Sequence, residues 1–299
     1  MTNLPSPIEE LHHPLLLEKE LKLFVKRDDL IHPEIMGNKW RKLKYNIEEA
    51  KRLKKKTLLT FGGAFSNHIY AVAAAGSEFG FETIGIIRGD ELNANSNPTL
   101  QFADSKGMEL RFVSREQFRA CRENYTNLAQ EYPDCYVLPE GGTNQLAVKG
   151  CGELVEEIQM PFDLIALPVG TGGTFCGVLN GVKSSQHVLG VSSLKGEFMG
   201  KEINELRKKF KIHRKNYTIS NAYHFGGYGK TDSNLIDFVN WFKKNFGISL
   251  DPIYTGKSFF GVWDMIKTDK FEKNLRIILL HTGGLQGISG FNRKKQIII

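Results

Sequence analysis

Short apolar runs alternate along this chain with longer stretches of helical periodicity. Thr57–Phe61 reads as a buried strand. A Gly-Gly turn follows it, and then an alanine-rich helix over Asn67–Phe79 that Gly80 is placed to end. Glu82–Ile87, Glu109–Val113, Cys135–Leu138, Leu164–Val169, Val188–Ser192 and Leu275–His281 read as further strands. Strands separated by helices predict parallel βαβ units and an α/β fold. Glycines cluster over Gly141–Gly152, which marks a seam, and a second crossing is expected near residues 44–50. The chain then divides into a larger domain of residues 1–45 and 150–299 and a smaller inserted α/β domain of residues 46–149.

Composition narrows the setting. A length of 299 residues suits two domains or one large one, and 41% apolar with 11% aromatic residues is ordinary for a folded protein. No apolar run approaches the ~18 residues of a membrane helix. The first residues are polar and lack the order of a signal peptide, so a cytoplasmic protein without membrane partners is expected. Cys121, Cys135, Cys151 and Cys176 show no metal-ligand spacing. They read as buried free thiols, and no metal is expected. Cys176 lies beside a glycine loop, but no base is placed near it. The net charge of +7 owes part to Lys51–Lys56 and part to Lys208–Lys215. Neither run carries interleaved aromatics, so solvated helix ends are favoured over nucleic-acid binding. A mild positive field also suits anionic ligands.

The candidate chemistry sits where strands meet glycines. Open α/β sheets bind ligands at the carboxyl ends of their strands. Gly62-Gly63, the loop Gly170-Thr171-Gly172-Gly173-Thr174 and Gly283-Gly284 all follow strands. The middle one is the best phosphate cradle. Its backbone can approach closely, two threonines offer hydroxyls, and a helix start would aim N–H groups at an anion. Glycine for a tight turn alone is the other reading. ATP signatures fail: Gly229-Lys230-Thr231 has His224, and Gly256-Lys257-Ser258 has Asp251, where a P-loop needs glycine.

Lys39 follows Gly37-Asn38 at a helix start. Peptide dipoles and nearby cations there disfavour an ammonium, which makes a better nucleophile for an aldehyde; a surface lysine is the alternative. In Gly62–His68, Ser66 or Asn67 suits a helix N-cap. The same turn could hold a carboxylate, with His68 as a further donor or simply packed.

Seven segments, KRDDL, GNKWRKL, FGGAFSNH, LPEGGTN, PVGTGGT, LDPIYTGKS and HTGG, occur in that order from Lys26 to Gly284. Together they resemble the 1-aminocyclopropane-1-carboxylate deaminase and D-cysteine desulfhydrase group of pyridoxal-phosphate enzymes. The resemblance implies a tryptophan-synthase-β-like fold: two open, twisted, mostly parallel sheets flanked by helices. It implies pyridoxal 5'-phosphate, with Lys39 as the Schiff-base lysine. Asn67 would contact the cofactor's ring hydroxyl, Gly170, Thr171, Gly172, Gly173 and Thr174 its phosphate, and Thr282 its pyridine nitrogen. Ser66, Asn67 and His68 would hold the substrate carboxylate, and Tyr254 and Tyr228 would lie near the reacting carbon. Ser66, Tyr254, Tyr228 and Lys39 are the implied catalytic set.

Cyclopropane deaminases of the group carry glutamine and glutamate where this chain has His68 and Thr255. Both choices resemble the D-cysteine desulfhydrase branch. A hydroxyl near the ring would keep the pyridine nitrogen less protonated than a carboxylate, which suits loss of a thiol better than ring opening. The chain departs from the group in being shorter, with a contracted stretch between Gly177 and Tyr223. The reading is a lyase or deaminase acting on a small amino acid, with β-elimination of D-cysteine first. Alternatives are 1-aminocyclopropane-1-carboxylate deamination, racemisation, serine dehydration, or a non-catalytic binding protein on the same scaffold. Group members are commonly dimers, so a homodimer is the implied assembly.

Overall fold

In the computed structural model of the chain, residues 2–295 are described. Among them the strands are β1 (Ile8–Leu11), β2 (Lys22–Lys26), β3 (Thr57–Gly63), β4 (Glu82–Arg88), β5 (Met108–Val113), β6 (Cys135–Val137), β7 (Leu164–Val169), β8 (His187–Ser192), β9 (Tyr217–Ser220) and β10 (Arg276–Leu280). One sheet has the order β1-β2-β10-β7-β8-β9 and the other β5-β4-β3-β6. Only the β1–β2 pairing is antiparallel. The fold is therefore α/β with two mostly parallel sheets and helices on their faces, as the resemblance implies.

Period-two alternation explains why the strands are apolar throughout. Leu23, Val25, Ala166, Leu189, Val191, Ile277 and Leu279 enter one core layer of the larger sheet. Their alternates Phe24, Ile165, Leu167, Val188, Ile278 and Leu280 enter the opposite layer. Both faces are covered, so no polar face breaks the run. In the smaller sheet Leu58 and Ile87 face one way and Leu59, Phe61 and Ile86 the other.

Three strands escape the sequence reading. β1 and β2 lie in the N-terminal stretch, and β9 lies inside the contracted segment. β1 carries Glu9 and Glu10 and β2 has lysine at both ends, so neither reads as an apolar run. The helix Asn67–Phe79 ends as predicted, with Gly80 left-handed at φ 75°. Gly150, in the seam region, lies within the helix Gln145–Glu156. A Cβ there would come within 2.1 Å of the Arg41 carbonyl oxygen, so this glycine lets two helices pack closely.

Candidate active site

A cavity of about 840 Å³ opens at the carboxyl ends of the strands, lined by Gly63 and Arg88 from the smaller sheet and by Val169, Gly170 and Thr282 from the larger. This is where an open α/β sheet exposes backbone to ligand. Lys39, Ser66, Asn67, His68, the turn from Gly170 to Thr174, Tyr228, Tyr254 and Thr282 all line it. Of the residues the sequence brings to the ligand, Thr255 alone is not among those lining the cavity.

Lys39 is the second residue of the helix Asn38–Arg52, entered through Gly37. Gly37 has φ 59°, and a Cβ on it would sit 2.1 Å from the Thr282 carbonyl oxygen. The Asn38 N–H donates to that same oxygen at 3.2 Å. The GNK and HTGG segments thus meet back to back, which puts Lys39 beside Thr282. Burial holds the Lys39 amine well below its ordinary pKa, and the neighbouring Lys42 cation adds to the effect. Desolvation, rather than the peptide dipoles invoked from the sequence, is the leading cause. No hydrogen-bond or ion-pair partner engages this amine among the described residues.

Gly172 is left-handed at φ 76° and starts the helix Gly173–Gly181 without any side-chain cap. The first N–H groups of that helix therefore lack protein acceptors and face the cavity turn. A Cβ on Gly173 would approach Thr143 Oγ1 to 2.7 Å and Lys42 Nζ to 3.2 Å. Lys42, only 2% exposed, was not nominated from the sequence. Its Nζ donates to the Gly141 carbonyl at 2.8 Å, to Thr143 Oγ1 at 3.3 Å and to Thr171 Oγ1 at 3.4 Å. All three are neutral oxygens, so this buried cation has no carboxylate partner among the described residues. Uncapped N–H groups, hydroxyls and an unneutralised lysine form a cradle for a dianion. Asn38 supports it by donating to Thr174 Oγ1 at 2.9 Å.

Ser66 is the N-cap of the helix Asn67–Phe79, accepting from the N–H groups of His68 and Ile69 at 3.2 and 3.3 Å. The cap leaves its hydroxyl proton free to donate into the cavity, so the structural and ligand-binding readings coexist. Asn67 Oδ1 accepts from Gln286 Nε2 at 2.9 Å, a partner the sequence did not suggest. His68 is 1% exposed, and both its ring nitrogens are buried without a partner. Burial, and then Lys39 and Lys42, push its pKa well below the ordinary 6.5, so the imidazole is neutral. Buried polar atoms left unpaired are rare and ask for a ligand or water.

Tyr254 and Tyr228 meet edge to face with ring centroids 6.1 Å apart. The Tyr254 backbone is fixed by Asp251, whose carboxylate accepts from the N–H groups of Ile253, Tyr254 and Thr255 at 2.8–2.9 Å. Burial raises the Tyr254 hydroxyl well above its ordinary pKa, so it stays protonated. Thr255 differs from expectation. It is fully buried with its hydroxyl 2.7 Å from Asp251, and it is not among the cavity-lining residues. Its hydroxyl is bonded to Asp251 at the helix start.

Two of the recognised segments also pair through a buried ion cluster. Arg41 Nε and Nη2 donate to Asp28 at 2.6 and 2.8 Å, and Nη1 and Nη2 donate to Glu157 at 2.8 Å each. Lys26 Nζ reaches Glu157 and the Ser6 carbonyl at 2.7 Å each. Two cations and two carboxylates balance. They tie β2 and the helix Gln145–Glu156 to the helix that carries Lys39 and Lys42. Lys42 was findable: three residues after Lys39, it shares that helix face.

Pyridoxal phosphate suits this donor set. A lysine with its pKa depressed meets an aldehyde, the cationic glycine turn meets a phosphate, and unpaired imidazole nitrogens meet a polar substrate. The comparisons agree. A family model described as pyridoxal-phosphate dependent enzyme matches residues 3–283. An Arabidopsis thaliana protein named bifunctional D-cysteine desulfhydrase/1-aminocyclopropane-1-carboxylate deaminase, mitochondrial, is 30% identical, with 96% of this chain and 78% of that protein covered. A crystal structure titled as an ACC deaminase homologue superposes with a TM-score of 0.83 at 27% identity, covering 98% of this chain and 93% of that one. A fungal L-serine ammonia-lyase from Rhizomucor miehei shares the fold, with a TM-score of 0.67 at 17% identity over 98% of each chain. The chain belongs to the pyridoxal-phosphate-dependent enzyme family, within its 1-aminocyclopropane-1-carboxylate deaminase and D-cysteine desulfhydrase group.

Proposed function

We propose that this enzyme eliminates the β-substituent of a small amino acid, D-cysteine first, consuming one water and giving pyruvate, ammonia and sulfide. The observation that carries the reading is the Lys39 amine: depressed in pKa by burial, unpaired among the described residues, and sharing a cavity with an uncapped glycine turn. Bound there, pyridoxal phosphate supplies an electron sink for the charge that develops at the substrate's α-carbon.

The chain's residues do the rest. Lys39 would hold the cofactor through Nζ, and its amine, once free, would take the α-proton at that atom. A depressed pKa keeps a neutral fraction available for this step. The turn from Gly170 to Thr174, with Lys42, would hold the phosphate, Asn67 would contact the ring hydroxyl, and Thr282 the pyridine nitrogen. Ser66, Asn67 and His68 orient the substrate carboxylate. Tyr254 is protonated and stands ready to deliver a proton at its hydroxyl to the departing group, with Tyr228 beside it. The protein works as a cytoplasmic homodimer on this reading, without nucleic-acid partners.

The second reading is 1-aminocyclopropane-1-carboxylate deamination, which the name of the Arabidopsis relative favours equally. His68 in place of glutamine supports D-cysteine. Purified protein incubated with pyridoxal phosphate should turn yellow, and Lys39→Ala should abolish the visible band. Keto-acid release from D-cysteine beside aminocyclopropane carboxylate separates the two substrates. A wild type that never takes up the cofactor would refute both.

A further inference from the structure

The cavity also carries charges that the proposed reaction leaves unused. Arg88 closes β4 and is in register with Gly63 at the end of β3. Its Nη2 lies 3.5 Å from where a Gly63 Cβ would stand, just ahead of the Ser66–His68 turn. Its guanidinium rests on the Phe118 ring, 5.6 Å from the centroid. Arg122, on the helix Arg115–Glu123, lines the same cavity, as does Glu140. Neither arginine has a hydrogen bond or ion pair among the described residues, and the Glu140 carboxyl has none either.

Arg27, Arg41, Arg52, Arg111 and Arg276 close on carboxylates, whereas the exposed Arg115, Arg119 and Arg214, like Arg88 and Arg122, have no carboxylate partner among the described residues. Arg88 and Arg122 stop short of Glu140, although the two cations oppose the upward push that burial gives its carboxyl. Two guanidiniums and one carboxyl therefore converge on open space with a net charge of one positive. The Ser66 turn is adjacent, so a substrate held there by its α-carboxylate would lie beside Arg88.

We infer that Arg88, assisted by Arg122, forms a subsite for a second acidic group, so that the cavity also accepts amino acids larger than D-cysteine whose side chains carry one. The inference rests on the reading of the cavity as an amino-acid site. The class of ligand is an amino acid with a carboxylate or a phosphate beyond the β-carbon. A fork of donors recognises either, and the carboxylate and phosphate probes below distinguish them. Glu140 sits as a counter-charge that moderates affinity for the anion.

The test is equilibrium binding to the holoenzyme, read by calorimetry. Both enantiomers of glutamate and glutamine are compared as a charged and neutral pair of matched size, and O-phosphoserine against O-acetylserine forms the phosphate arm. Charge-assisted hydrogen bonds predict that the charged member of at least one pair binds the wild type ten- to a hundredfold more tightly, in order of magnitude. Arg88→Met should shrink that ratio to within about threefold, and Arg88→Lys should restore part of it. Glu140→Gln should widen it. Circular dichroism and the cofactor's absorbance establish that each variant is folded and loaded. A wild type with no preference for the charged member of either pair overturns the inference. So does an Arg88→Met variant that weakens charged and neutral ligands alike. Absence of keto acid from both D-cysteine and aminocyclopropane carboxylate in the wild type would instead count against the proposed reaction, and the binding ratios would still judge this subsite.

Discussion

Replacing Arg41 by methionine tests whether the buried ion cluster sets the position of the helix that carries Lys39. The side chain is 2% exposed and makes four hydrogen bonds of 2.6–2.8 Å to two carboxylates. A sum of four charge-assisted bonds would give about 6–12 kcal/mol, but that ignores the cost of desolvating the guanidinium. The relevant quantity is the penalty for breaking a buried pair, about 3–5 kcal/mol. After the change Glu157 keeps Lys26, whereas Asp28, fully buried, keeps only the Ser6 hydroxyl at 2.6 Å. The orphaned charge is therefore Asp28. Arg41→Met should lose about 3–5 kcal/mol in urea unfolding followed by circular dichroism, a large share of the usual 5–15 kcal/mol. The double variant Asp28→Asn/Arg41→Met should recover at least about 1 kcal/mol relative to the sum of the single changes. Cofactor affinity should fall too, because Lys39 and Lys42 ride on the same helix. A loss under about 1 kcal/mol, or strict additivity, would refute the cluster as the device that positions the helix.

Tyr254→Phe should retain the cofactor's visible band and lose most turnover, measured as keto acid released; wild-type rates would reassign the hydroxyl to packing. Gly37→Ala combines φ 59° with a Cβ 2.1 Å from a backbone oxygen, so it should cost more than about 2 kcal/mol in thermal or urea unfolding and weaken cofactor binding. Lys257, fully buried and donating to the carbonyls of His224 and Gly227 at 2.8 and 2.7 Å, has its pKa pushed down by burial to about 8. The unfolded chain binds the extra proton up to a pKa of about 10.4, so stability should rise with pH from about 8 to 10. Urea titrations of wild type against Lys257→Met should show that rise diminished in the variant, by up to about 3 kcal/mol over the window; parallel pH profiles would contradict it.

The larger part of the fold was legible because burial on both faces leaves parallel strands as plain apolar runs. The edge strand β5 shows alternation, with Glu109 and Arg111 between Met108, Leu110 and Phe112, whereas β3, β4, β7, β8 and β10 announce themselves as such runs. β2 did not, because its terminal lysines, Lys22 and Lys26, interrupt the signal. Lys26 looks like surface in sequence, yet it is fully buried on Glu157 across more than a hundred residues. Only tertiary pairing could reveal it.

The site divides along the same line. Glycines and helix starts advertise themselves locally, so Lys39, Ser66 and the turn from Gly170 to Thr174 could be nominated. Gln286 owes its place to a partner far along the chain, Asn67, whereas Lys42, three residues after Lys39 on one helix face, was within reach of helix spacing. Thr255 shows the converse hazard. A residue can occupy a telling position in a motif and still bond its hydroxyl to Asp251, outside the cavity lining. The residues that choose a substrate should be of the long-range kind, since chemistry common to a family is fixed near its glycine turns. Arg88 and Glu140 fit that description. One ends β4 and the other follows β6, and only the cavity brings them together.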